Sequence, residues 1–103
     1  MKVNKNNCSK YVRTGETCNY SLFTTPRHQH EQRESGVKGV MNSISTHGVI
    51  AAISCRKSKS DNSKFEVYNG QHTLQACRRL NVPVVYNVFE NVSNRVIMAI
   101  HGA

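Results

Sequence analysis

The spacing of apolar positions divides the chain into short elements. Val37, Val40, Met41 and Ile44 fall on the i, i+3, i+4, i+7 stripe that buries one side of an α-helix. Ser35 is placed to cap its start, and Gly48, after His47, to end it in a left-handed turn. Gly39 lies inside that helix at a cost of about 1 kcal/mol against alanine, so either packing is close there or the helix is marginal. VIAAISCR, from Val49 to Arg56, is then a nearly unbroken apolar run of strand length. Such continuity predicts a strand covered on both faces.

The polar stretch SKSDNSK follows, with Lys57, Lys59 and Lys64 on and around it, and Phe65 to Tyr68 resumes a strand. The two strands can pair as a hairpin around this basic loop. Asn69-Gly70 leads into a helix instead of a further strand: Leu74, Cys77 and Leu80 share one face, Ala76 lies beside them, and Asn81 can close it. Pro83 opens the strand Val84 to Phe89. Val92 and Ile97 flank a Ser93 cap as a hydrophobic staple, starting a short helix through Ile100.

The N-terminal part is weaker in pattern. Residues 1–9 are polar and Asn-rich and are expected to be flexible. Lys10 to Arg13 and Tyr20 to Phe23 are short β-leaning pieces separated by a turn at Thr14-Gly15-Glu16. Pro26 stops any regular element, and RHQHEQRESG is a polar connection ending at Gly36. The element order predicts an α/β fold, a compact sheet with helices packed on it.

Composition sets the scale of this fold. At 103 residues and 11.6 kDa the chain has room for one core. Neither a secretory leader nor an apolar run of membrane-spanning length is present in the sequence, so a cytoplasmic protein is expected. The cysteines Cys8, Cys18, Cys55 and Cys77 form no CxxC pair and are expected as reduced thiols. Cys8 and Cys18 with His28 and His30 could supply four zinc ligands, but only the His-x-His half has the close spacing of structural zinc sites. No metal site is expected.

Charge changes the picture more. Fourteen Lys and Arg against six Asp and Glu give a net +8. Met1 to Lys38 holds seven basic and three acidic residues, and Arg56 to Arg79 six and two, so each zone nets +4. Between them, Gly39 to Cys55 carries no Lys, Arg, Asp or Glu. Two basic zones around an uncharged middle suit a polyanion surface. The plainer reading is charge that keeps a small protein soluble.

The strand-Gly-helix junction at Gly70 is the main candidate for chemistry. A helix start carries partial positive charge and unsatisfied N–H groups, which favour phosphate or carboxylate. Gly70 permits close approach or positive φ, and His72 and Thr73 add side-chain donors in the first turn. Every such junction shares this geometry, however. His72 can equally serve neighbouring backbone, and Cys77 can be a small buried hydrophobe.

GVIAAISCRK, a loop, and FEVYNGQHTLQACRRLNVPVVYNVFE resemble the core of the ParB and sulfiredoxin superfamily. In that family a strand runs into a G-E-R-R or G-Q-H-R box that opens a helix, and a Val-Pro-Val strand follows. The exit SISTHGVIAAI is similar to the helix and His-Gly step that precede it. The resemblance covers about Val37 to Val92 and implies a mixed sheet, with residues 10–103 forming a single ParB-like domain. It implies that Gly70, Gln71, His72 and Thr73 hold nucleotide phosphates or DNA, with a nucleoside triphosphate and Mg as the associated cofactor. Thr73 stands where the box has an arginine, so the strongest phosphate clamp is missing. The sulfiredoxin cysteine falls at Gln71, which is no nucleophile. The helix-turn-helix domain of ParB has no counterpart in the 103 residues.

The leading expectation is a non-catalytic ParB-like domain that binds nucleic acid or another polyanion. Its contacts are expected at Arg56, Lys57, Lys59 and Lys64 around the hairpin, Arg78 and Arg79 on the following helix, and Gln71 and His72 at the turn. A nucleotide-hydrolysing enzyme or nuclease, with His72 as acid-base group, is the alternative; Glu66 and Asp61 are the only carboxylates nearby to hold Mg. A third is an inhibitor or adaptor with a protein partner, encoded by a phage or mobile element.

Overall fold

The computed structural model describes residues 8–25 and 33–100. Its sheet has five strands in the order β1-β5-β3-β4-β2. These are β1 (Lys10–Thr17), β2 (Phe23–Thr24), β3 (Ile53–Lys57), β4 (Phe65–Asn69) and β5 (Val84–Glu90). The helices are α1 (Glu34–His47), α2 (Gln71–Leu80) and α3 (Asn94–Ile100). The sheet is mixed: β3 runs parallel to β5 and β2 to β4, whereas β1 with β5 and β3 with β4 are antiparallel.

Period-two alternation gives the two faces different cores. Ile53, Cys55, Phe65, Val67, Val84, Tyr86 and Val88 point to one face, where Leu74 and Cys77 of α2 and Ile44 of α1 cover them. Tyr68 points to the other and packs with Val92 and Ile97 at α3, alongside Phe89. The predicted staple is therefore present: the Val96 amide donates to Ser93 Oγ at 3.3 Å, and Val92 meets Ile97. At the end of α2, Asn81 adopts the left-handed conformation with φ 56° and ψ 43°, as its position predicts. Tyr20 Oη ties that end down by donating to the Val82 carbonyl at 2.6 Å.

Four local expectations are corrected. Lys10 to Thr17 is one continuous strand, not a strand and a turn, because Gly15 lies over the Tyr86 ring, where a Cβ would come within 2.4 Å of the phenol. Tyr20–Leu22 is a 3-10 turn before the short β2. Helix α1 begins at Glu34, after an extended Arg33, so Ser35 lies inside the first turn and does not cap it. Val49 to Ala52 is irregular; Ile50 is 76% exposed, and the strand covers only Ile53–Lys57. The Gly48 stop is where the pattern put it, with φ 78° but ψ −176°, an extended conformation open mainly to glycine.

The expected flexible start lies outside the described residues except for Cys8 and Ser9; Ser9 Oγ donates to the Asn91 carbonyl at 3.2 Å. Residues 26–32 of the connection after Pro26, with His28 and His30, also lie outside them, and its end, Glu34 to Gly36, is the first turn of α1. Cys8 and Cys18 flank β1 at opposite ends, roughly 25 Å apart at strand rise, so they cannot share one ion. Cys18, Cys55 and Cys77 form no disulfide among the described residues.

Candidate functional site

Strand β4 delivers the chain to α2 through Gly70, whose φ of 99° and ψ of 26° are left-handed. A Cβ on Gly70 would lie 2.7 Å from Ile53 Cγ2 and 3.0 Å from the Ile53 backbone, so glycine is required by space as well as by φ. The first turn of α2 has no side-chain cap, and helix geometry leaves the His72 and Thr73 amides without intrahelical acceptors. That arrangement is open to an anion.

The side chains at this turn are differently committed. Gln71 Nε2 donates to the Val67 carbonyl at 2.5 Å, and its Oε1 accepts from Thr25 Oγ1 at 3.2 Å. Its amide braces the junction between β4 and α2. His72 lies under the first turn of α1, where a Cβ on Gly36 would sit 3.0 Å from its imidazole. His72 Nε2 is buried and has no hydrogen-bond partner among the described residues. Buried polar atoms are normally satisfied, so this nitrogen marks an incomplete polar site.

The cations do not gather at this turn. Gly70 packs on Ile53, the first residue of β3, whereas Lys57 ends that strand, about 13 Å away at strand rise. Lys57, Lys59 and Lys64 thus belong to the hairpin end of the sheet. Arg78 and Arg79 are on α2, which starts at Gly70. Lys57, Lys59, Arg78 and Arg79 are exposed and Lys64 half-buried. Arg79 is engaged by Glu34 through both of its terminal nitrogens, at 2.5 and 2.9 Å. This pairing holds the Glu34 carboxyl below its ordinary pKa and raises that of Arg79.

Arg56, expected among the surface cations, is buried beneath α3. Its Nε and Nη2 donate to Glu66 Oε1 at 3.0 and 2.5 Å, Nη1 to the Val92 carbonyl at 2.6 Å, and Nη2 to Asn94 Oδ1 at 2.8 Å. Its Nε, Nη1 and Nη2 are thus all engaged within the protein. Glu66 is committed to the same pair, and Asp61 accepts from the Ser63 amide and hydroxyl. Neither carboxylate lies at the Gly70 turn. Among the described residues no three His, Cys, Asp or Glu side chains converge as metal ligands.

The hairpin end holds a feature that the sequence pattern did not single out. A recess of about 720 Å³ opens between β1, the end of β5 and α3, lined by Lys57, Lys59 and Arg95 together with Val12, Phe89 and Val96. Only the lysines of this set belong to a charge cluster in the chain. Arg95 is isolated in a tail of balanced charge, and no periodicity marks Val12 as a lining residue. No described helix is long and apolar enough to cross a membrane.

The ParB N-terminal domain model matches residues 20–102. No curated protein matches the chain. Among solved structures, the chain is similar to the C-terminally truncated chromosome-partitioning protein ParB from Caulobacter crescentus complexed with CTP-gamma-S, at TM-score 0.73 and 18% identity, over 86% of this chain and 50% of that one. It is also similar to that protein complexed to the centromeric parS site, at TM-score 0.62 and 19% identity, over 87% of this chain and 46% of that one. The chain spans about half the length of these neighbours. With the family model covering four fifths of its length and the predicted mixed sheet in place, the chain belongs to the ParB N-terminal domain family.

Proposed function

We propose that this domain binds nucleic acid through exposed cations at the hairpin end, as a binding module without catalysis and with little preference for sequence. The carrying observation is the exposure of Lys57 and Lys59 beside Lys64 on a chain of net +8. The solved neighbour complexed to parS supports a nucleic-acid partner in this family. Glu66 neutralised by Arg56 and Asp61 held by Ser63 support binding over metal-assisted hydrolysis. Contacts made by lysine to phosphate fix position and not base identity. Affinity for a mixed-sequence oligonucleotide should fall with salt, with a log–log slope of about −2 to −3 for three neutralised phosphates. A slope near zero would remove the proposal.

A second reading concerns the Gly70 turn, where the orphaned His72 Nε2 favours an anionic ligand. The solved neighbour complexed with CTP-gamma-S supports a nucleoside triphosphate there. The uncapped first turn and His72 fit its phosphates; any Mg would be held by those phosphates and water, since Glu66 and Asp61 are engaged elsewhere. Thr73 in place of an arginine makes the grip weak. Calorimetry with CTP and ATP, on the natural chain and His72→Ala, tests it: heat that saturates in the first and disappears in the second supports the site, and no heat from either removes it.

A further inference from the structure

The recess at the hairpin end combines features that a purely electrostatic surface does not need. Lys57 and Lys59 approach it from β3 and its loop, and Arg95 from α3. Between them the lining is apolar, from Val12, Phe89 and Val96. Val12 is 49% exposed and Tyr11 59%, two of the three large hydrophobic residues exposed among the described residues. Tyr11 stands edge-on to Phe89, ring centroids 5.9 Å apart at 71°. Tyr11 is thus an exposed ring beside Phe89 of the wall, with its hydroxyl hydrogen-bonded to Thr14 Oγ1 at 2.7 Å.

This juxtaposition suits nucleic acid whose bases are free. A duplex keeps its bases stacked inside and offers a recess only phosphates, whereas a single strand can place bases on aromatic faces while cations follow its backbone. The volume, about 720 Å³, lies within the roughly 300–1,000 Å³ of sites for small organic ligands, which includes the size of one nucleotide. Glu90 is also in the wall. Its carboxylate repels phosphate and can accept from an exocyclic amino group, so a base and not the backbone suits the floor. Arg56 lines the recess too, but its guanidinium is spent on Glu66, Val92 and Asn94.

Building on the nucleic-acid reading above, we propose that this recess takes an unpaired base, so that the domain prefers single-stranded to double-stranded nucleic acid. Tyr11 is the stacking platform, and Lys57, Lys59 and Arg95 hold the flanking phosphates. The test is fluorescence anisotropy of the full chain with labelled DNA and RNA single strands of about sixteen nucleotides, the DNA duplex, and a DNA strand of abasic sites with the same charge. At least one natural single strand should bind roughly tenfold tighter than the duplex and the abasic strand. Tyr11→Ala should remove most of that preference, Tyr11→Phe should retain it, and Arg95→Ala should weaken every oligonucleotide. Amide shifts on adding the strand should centre on Tyr11, Phe89 and Arg95. Equal affinity for all four ligands would overturn the base recess while the nucleic-acid reading stood, and no binding to any would overturn both. Shifts confined to Gly70–Thr73, or binding by an Asp/Leu peptide but no oligonucleotide, would also overturn it.

Discussion

Arg56 and Glu66 face each other across β3 and β4, Nη2 to Oε1 2.5 Å, with side chains only 8% and 18% exposed. The same guanidinium reaches the Val92 carbonyl and Asn94 Oδ1 at the start of α3. One buried charge pair therefore joins the hairpin to the last helix. Removing one member leaves the other charge buried without compensation, at a cost of about 3 kcal/mol or more. Glu66→Ala and Arg56→Ala should each lower denaturant-unfolding stability by that order. The paired change to leucine at both positions should cost less than either single change, and a double cost equal to the sum would refute the coupling.

Gly70 and Gly39 should respond to alanine in opposite directions. At Gly70 the φ of 99° and the 2.7 Å approach to Ile53 Cγ2 make a Cβ costly, by about 2 kcal/mol or more. A Cβ at Gly39 would meet nothing within 4 Å, so close packing does not explain that glycine. Gly39→Ala should stabilise the protein by about 0.5–1 kcal/mol through helix propensity. Thermal melts of the two variants check the signs.

The same contrast shows what was legible in the sequence. Elements β4, α2 and β5 could be read because Phe65 to Phe89 changes from period two to helical spacing and back, with Gly70, Asn81 and Pro83 as punctuation. Strand β1 was harder: Gly15 looks like a turn until the Tyr86 ring is placed beneath it. The run from Val49 to Ala52 is apolar but not strand, because apolarity alone carries no period. Arg56 reads as a surface cation until hairpin register sets it opposite Glu66. That pairing was recoverable from the hairpin, since the strand patterns and loop length fix which residues oppose. The recess was not, because β1, β5 and α3 meet there from distant parts of the chain.

Burial pushes the Cys55 thiol up to about 12 from an ordinary 9.0. The folded state thus favours the protonated form, while the unfolded chain loses its proton from about pH 9. The stabilising contribution is complete below pH 9 and lost as pH rises from 9 towards 12. Urea unfolding across this range should show stability falling, and Cys55→Ser or Cys55→Ala should flatten that limb. At neutral pH an alkylating reagent should modify exposed Cys18 in the folded protein and reach Cys55 and Cys77 only after unfolding. Rapid modification of all the thiols in the native protein would contradict this burial.

Glu34 competes with any polyanion for Arg79. Its carboxylate takes two hydrogen bonds from that guanidinium, which stays exposed enough for a phosphate to replace it. The Arg79 bonds lower the Glu34 pKa, so the pair persists until pH falls below the usual carboxylate range and then opens as Glu34 protonates. If Arg79 contributes to nucleic-acid binding, Glu34→Gln should raise affinity several-fold at low salt, by freeing one cation and removing one negative charge. It should also steepen the salt dependence by up to about one phosphate contact. Stability should change little, because exposed ion pairs contribute little once solvated. Arg79→Ala in the Glu34→Gln background should return both affinity and slope towards the natural values. An affinity gain that survives Arg79→Ala would assign the effect to net charge alone and leave the nucleic-acid contacts to the hairpin lysines.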